Sequence, residues 1–131
     1  MTHIKLLFAL DGPAPLIKIK INGAGVNSKP SWIPDEFGNV SIELEEELST
    51  LNIVDVEVSG LLRSINLVEI IADDIRFGLV TFLCTTISGK QDTQLTCDGV
   101  IKIALGVPIW QYWCEKFNSF NYKDYPLGST N

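Results

Sequence analysis

Residues 67–85 read LVEIIADDIRFGLVTFLCT and have the composition of a long inner strand. β-Branched and aromatic residues, which favour strands, dominate the stretch, and its single glycine, Gly78, marks a place where a strand can bend. Strand alternation puts Ile75 and Phe77 on one face and Arg76 on the other. We therefore predict a core strand of a sandwich that bends at Gly78, with the rest of the chain packed around it.

Shorter alternating segments flank this stretch. The candidate strands are residues 3–10, 16–21, 40–44, 52–58, 93–97 and 100–105. Asn22-Gly23 and Asp98-Gly99 are dipeptides that favour two-residue hairpins between such strands. Many short strands separated by turn signals are typical of sandwiches and jelly rolls. The sequence predicts an all-β fold, an antiparallel two-sheet β-sandwich or jelly roll with at most one short C-terminal helix.

The C-terminal part has a different pattern. Trp110, Trp113 and Phe117 recur at helical spacing, which predicts a short helix over residues 109–117. Residues 118–131 have no periodicity and are predicted to form an irregular tail. A chain of 131 residues has the length of one domain, so we expect a single β-sandwich domain over residues 1–131.

Composition and charge restrict the partners. Apolar residues make up 46% and charged residues 20%, which excludes a disordered chain and leaves an apolar surplus for contacts with another protein. A net charge of −6 without a basic cluster argues against nucleic acid. We expect no membrane span, because no stretch reaches the necessary length. We also expect no signal peptide, hence synthesis in the cytoplasm and assembly into a particle, with the compartment left open.

No catalytic signature stands out. The single histidine, His3, lies near the N terminus, and no serine occupies a nucleophile-elbow motif, so we expect no enzyme activity. Cys84, Cys97 and Cys114 lack metal-binding spacing and are interpreted as reduced thiols. A Cys84–Cys97 bridge is the alternative in an oxidising compartment.

Four segments occur in the order seen in β-sandwich carbohydrate-binding modules. They are IKIKING at 17–23, SIELEEEL at 41–48, NIVDVEVSG at 52–60 and VEIIADDIRFG at 68–78. Over residues 17–78 the chain resembles the calcium-dependent xylan-binding type. The resemblance implies a jelly roll that binds a glycan at a loop edge through calcium. Asp73 and Asp74 are the positions that match the aspartates of that family's metal site, and the residues after 78 have no counterpart in it.

Two roles remain open for these residues and for the loop tryptophan. In the first, Asp73 and Asp74 are calcium ligands, and Trp32 is a platform on which a sugar ring stacks. In the second, one aspartate is solvated, the other pairs with Arg76, and Trp32 packs in the core or an interface.

Aromatic residues are frequent near the C terminus and suit a protein interface. The candidate interface residues are Trp110, Tyr112, Trp113, Phe117, Phe120, Tyr122 and Tyr125. They favour a non-catalytic structural subunit, such as a virion, tail or surface-layer component, that forms a homo-oligomer or a larger protein assembly. The alternative is a carbohydrate-binding module, assisted by calcium.

Overall fold

The computed structural model describes residues 1–78, 83–86 and 92–119, the last three of these by their backbone alone. Within these ranges there are eleven strands and one helix. The strands are β1 (Thr2–Asp11), β2 (Leu16–Ile21), β3 (Ala24–Gly25), β4 (Lys29–Ser31), β5 (Asn39–Glu46), β6 (Leu51–Ser59), β7 (Ser64–Ala72), β8 (Ile75–Phe77), β9 (Cys84–Thr86), β10 (Gln94–Leu95) and β11 (Gly99–Gly106). The helix is α1 (Ile109–Ser119).

The strands form two antiparallel sheets. The first sheet has the order β10-β7-β1-β5-β4, with β8 also paired to β7, and the second has the order β3-β2-β6-β11-β9. The long strands alternate between the sheets along the chain, so successive connections cross from one layer to the other. This architecture confirms the predicted all-β, two-sheet sandwich with one short C-terminal helix.

The core lies between the two sheets and is built from the alternating apolar positions. Ile4, Leu6 and Phe8 project into it from β1, and Val54 and Val56 from β6, all of them at most 1% exposed. Burial of each such side chain contributes about 1.5–3 kcal/mol. The opposite side chains of the same strands are partly or fully exposed, as the alternation predicted, except for the buried Leu7 of β1.

A β-bulge interrupts the alternation in β7. Leu7 pairs with Glu69 and Phe8 pairs with Leu67, which leaves Val68 as an extra residue on β7. Because a bulge changes the side to which the following residues point, Val68 and Glu69 both reach the outer face of the first sheet. The next residue, Ile70, then points back into the core.

The prediction of one long strand over residues 67–85 is wrong. The chain reverses at Asp73-Asp74, whose φ angles of 48° and 68° are those of a tight hairpin turn, and β8 pairs back onto β7. β9, at the end of the stretch, belongs to the second sheet. Residues 79–82, which belong to the predicted strand, lie outside the described residues.

The two predicted dipeptide hairpins have different outcomes. Asn22-Gly23 connects β2 to β3 in a hairpin, with positive φ at both residues, which confirms the prediction. The prediction of a hairpin at Asp98-Gly99 is wrong, because β10 pairs with β7 in the first sheet while β11 pairs with β6 in the second. Asp98 instead accepts hydrogen bonds at its carboxylate from the backbone N–H groups of Gly60 and Leu61, at 3.1 and 2.8 Å.

The C-terminal helix is confirmed and extends two residues further than predicted, through Ser119. The first two residues of the predicted irregular tail, 118 and 119, are therefore helical. The remainder of that tail lies outside the described residues. The start of the helix is tied to the sandwich, because the Val107 N–H donates to the Thr50 carbonyl at 3.0 Å. Among the described residues, no helix is long and apolar enough to cross a membrane.

Candidate functional site

An aromatic surface lies at the end of the sandwich from which α1 begins. We call it the helix-end surface, and it consists of Ile75, Phe77, Val107, Trp110 and Trp113. The two tryptophan rings are stacked, with centroids 6.0 Å apart and an interplanar angle of 14°. The Phe77 ring lies 6.2 Å from that of Trp110 and 5.8 Å from that of Trp113. Rings at these distances stabilise one another beyond their burial, so the cluster is a fixed surface feature.

The cluster has a buried base and an exposed top. Phe77 is only 2% exposed, whereas Trp110 is 56% exposed despite its contacts with two other rings. Ile75 and Val107, at 44% and 39% exposed, extend the apolar surface on either side. A shallow depression of about 280 Å³ lies between the β7–β8 hairpin and the start of α1, and Trp110 forms part of its wall.

The predicted interface residues therefore separate into two groups. Trp110 and Trp113 belong to the helix-end surface, as the helical spacing predicted. Tyr112 packs instead directly on Gly106, where an added Cβ would collide with the tyrosine ring, and Lys116 lies over the same ring at 5.4 Å. Tyr112 therefore attaches the helix to β11. The remaining candidates fall outside the described residues or side chains: Phe117, Phe120, Tyr122 and Tyr125.

The predicted calcium ligands form the β7–β8 turn. The Asp73 carboxylate accepts a hydrogen bond from the His3 N–H at 3.0 Å, and the Asp73 N–H donates to the His3 carbonyl at 2.9 Å. Asp73 thus joins the turn to the first residues of β1. In the part of the chain that the structure describes, no three histidine, cysteine, aspartate or glutamate residues lie together as a metal site. Calcium binding at Asp73 and Asp74 stays a prediction.

The predicted pairing of Arg76 with one of these aspartates is wrong. The Arg76 guanidinium forms its ion pair with Glu69. Arg76 lies opposite Ile71 across the β7–β8 hairpin, and Glu69 is two residues before Ile71 in β7, on the same outer face. The aspartates occupy the turn itself, so the strand pairing brings the guanidinium to Glu69.

Phe37, which was not among the predicted site residues, is a loop aromatic that faces solvent. Trp32, the predicted sugar platform, is half-buried and packs against the core. Phe37 is 75% exposed at the turn before β5.

Cys84, Cys97 and Cys114 form no disulfide in the structure. Burial raises the pKa of the Cys84 thiol to about 12, which keeps it protonated and unreactive at neutral pH. Cys84 pairs with Ile103 on β11, whereas the exposed Cys97 precedes Gly99, the first residue of that strand. Gly99 and Ile103 are four residues apart on β11, which is about 13 Å along the strand. Cys97, just before Gly99 in the chain, is therefore too far from Cys84 for a disulfide.

Comparison of the chain with protein-family models, curated protein sequences and solved structures finds no match. Its function is therefore inferred from the geometry of its surfaces.

Proposed function

We propose that this protein is a non-catalytic assembly subunit that binds other copies of itself through the helix-end surface. The observation that carries the proposal is the exposure of Trp110 on top of a preformed aromatic cluster. Tryptophan is among the residues that most often dominate the binding energy of protein interfaces. A helix and a sandwich supply the rigid support that such an anchor requires.

Desolvation supplies the driving force. An aromatic side chain can bury 150–250 Å² in a contact, and each square ångström of apolar surface removed from water contributes about 25 cal/mol. Ile75 and Val107 adjoin the tryptophan and enlarge the apolar area that a second copy would cover. The ring contacts with Phe77 and Trp113 hold Trp110 in place before binding, so little side-chain entropy is lost on association.

Replacement of Trp110 by serine tests this proposal. We expect the wild-type protein to form an oligomer whose mass rises with concentration, and Trp110→Ser to weaken self-association about 30-fold, the effect of losing a 2 kcal/mol interface anchor. Multi-angle light scattering across a dilution series measures the dissociation constant. Thermal unfolding of the variant, followed by circular dichroism, checks that the fold is retained.

Leu62→Ser is the matched control. Leu62 is 73% exposed but lies in the β6–β7 connection, at the opposite end of the sandwich. This variant should associate like the wild type. A wild-type protein that stays monomeric at high concentration, or equal losses in the two variants, would contradict the proposal.

A further inference from the structure

A second surface site lies on the outer face of the first sheet. It is a groove of about 360 Å³, within the size range of small-molecule sites. Leu7 and Val68 lie in it, and Val68 reaches this face because of the β7 bulge. Leu7 points outward from β1 yet is only 5% exposed, so the groove has a covered apolar floor.

Phe37 forms one wall of this groove and is held there by its own loop. The Asp35 carboxylate accepts hydrogen bonds from the N–H groups of Phe37 and Asn39, at 2.8 and 2.9 Å. Backbone bonds from Asp35 to Asn39 and from Gly38 to Asp35, at 2.9 and 3.0 Å, close the same loop. The aromatic ring is therefore presented to solvent by a loop that is already ordered, which lowers the entropic cost of binding a ligand against it.

Polar groups surround the apolar floor. Glu69 and Arg76 form an ion pair in the groove, and Asn39 and Asp35 line it as well. A paired guanidinium still has N–H donors, and carboxylate and amide oxygens still have lone pairs. The carboxylates of Asp35 and Glu69 outnumber the one guanidinium, that of Arg76. The charged groups of the groove are therefore negative in sum and disfavour an anionic ligand.

We propose that this groove binds a neutral sugar, with one face of the pyranose ring stacked on Phe37. A sugar ring has an apolar C–H face and hydroxyl groups around its edge, which matches an aromatic wall above a floor of Leu7 and Val68 with donors and acceptors at the rim. Glu69, Asn39 and Arg76 are placed to bond the hydroxyl groups. This site shares no residue with the helix-end surface and does not depend on assembly.

Saturation-transfer difference NMR with methyl glycosides of glucose, galactose, mannose and xylose tests the proposal, with methyl glucuronide as the anionic probe. We expect saturation transfer from the wild-type protein to at least one neutral glycoside and none to the glucuronide. Phe37→Ala should reduce that signal at least fivefold, and Phe37→Tyr, which keeps the ring, should restore it. Because Phe37 is largely exposed, both variants should fold.

Ile33→Ala is the control, since Ile33 is 83% exposed in the same connection but does not line the groove. It should bind like the wild type. Absence of transfer to every neutral glycoside, an equal signal from Phe37→Ala, or equal binding of the glucuronide would overturn the proposal. Light scattering on Phe37→Ala keeps the outcome separate from assembly, because self-association should be unchanged.

Discussion

The two ends of the sandwich are closed by different chemistry. At the helix end, the side chain of Asn52 is 1% exposed and lies under the turn of β2–β3, the connection before β6 and the last residues of β11. At the opposite end, the exposed Asp98 carboxylate caps backbone N–H groups of the β6–β7 connection. One end is thus held by a buried amide and the other by a solvated carboxylate.

Asn52 uses its amide completely. Its Oδ1 accepts from the Asn22 side chain at 3.1 Å and from the Ser49 N–H at 2.9 Å. Its Nδ2 donates to the carbonyls of Ser49 and Leu105 at 2.8 and 3.1 Å. The network joins three chain segments near the start of α1, so it gives the helix-end surface a rigid base. A docking surface benefits from such support, whereas the opposite end tolerates hydration.

Replacement of Asn52 should therefore have the largest effect on stability. Asn52→Leu removes four hydrogen bonds and leaves buried backbone groups, including the Leu105 carbonyl, without their partner. We expect the free energy of unfolding to fall by about 3 kcal/mol. Urea denaturation followed by tryptophan fluorescence measures it.

The control for this measurement is Asn27→Leu, an equal change at an exposed position. Its effect should stay within about 0.5 kcal/mol. If Asn52→Leu is as stable as this control, the buried network does not hold the helix end, and the contrast between the two ends fails.

Removal of the Asp98 carboxylate should have a smaller effect. Asp98→Ala deletes both caps on Gly60 and Leu61, but water can reach these N–H groups, so we expect a loss of about 1 kcal/mol. Urea denaturation measures it against Glu36→Ala, another exposed acidic side chain. A loss as large as that of Asn52→Leu would show that the two ends are closed with equal strength.

The fold was predictable where one face of a strand is buried and the other is exposed to solvent. Residues 17–21 alternate isoleucine with lysine, and β2 has the predicted bounds of 16–21 with Ile19 and Ile21 in the core. The β7 region was not predictable in this way. There the bulge at Val68 shifts the alternation by one residue, and the adjacent apolar pairs Leu67-Val68 and Ile70-Ile71 leave the inward-facing position ambiguous in the sequence.

The turn at Asp73-Asp74 and the crossing at Asp98-Gly99 show why local signals were insufficient. Asp-Gly favours a hairpin, yet Asp98 is used as a cap for a connection 37 residues earlier in the chain. Asp-Asp is a poorer hairpin signal, but the His3 backbone supplies both hydrogen bonds that hold Asp73 in the turn. Each outcome depends on a partner distant in sequence.

The candidate site was predictable in part. Helical spacing indicated that Trp110 and Trp113 would act together, which their stacked rings bear out. The contribution of Phe77 could not be inferred, because it depends on the β7–β8 reversal that places this residue beneath the helix. Phe37 was missed because its exposure follows from the loop that Asp35 organises.

The smallest expected effect is a gain at the β7–β8 turn of the helix end. Asp74 has a φ of 68°, a conformation that glycine adopts without strain, so Asp74→Gly should raise the free energy of unfolding by about 0.5 kcal/mol in urea denaturation. Glu36→Gly, at a residue without positive φ, should instead lower it by about 0.5 kcal/mol through the entropy of the unfolded chain.

Calcium chloride should leave the difference in the free energy of unfolding between wild type and Asp74→Gly unchanged if Asp74 acts only in the turn. A calcium-dependent rise in the wild-type melting temperature that Asp74→Gly abolishes would contradict this and support the ligand role that the resemblance to carbohydrate-binding modules implies, because a bound ion stabilises only the state that holds it.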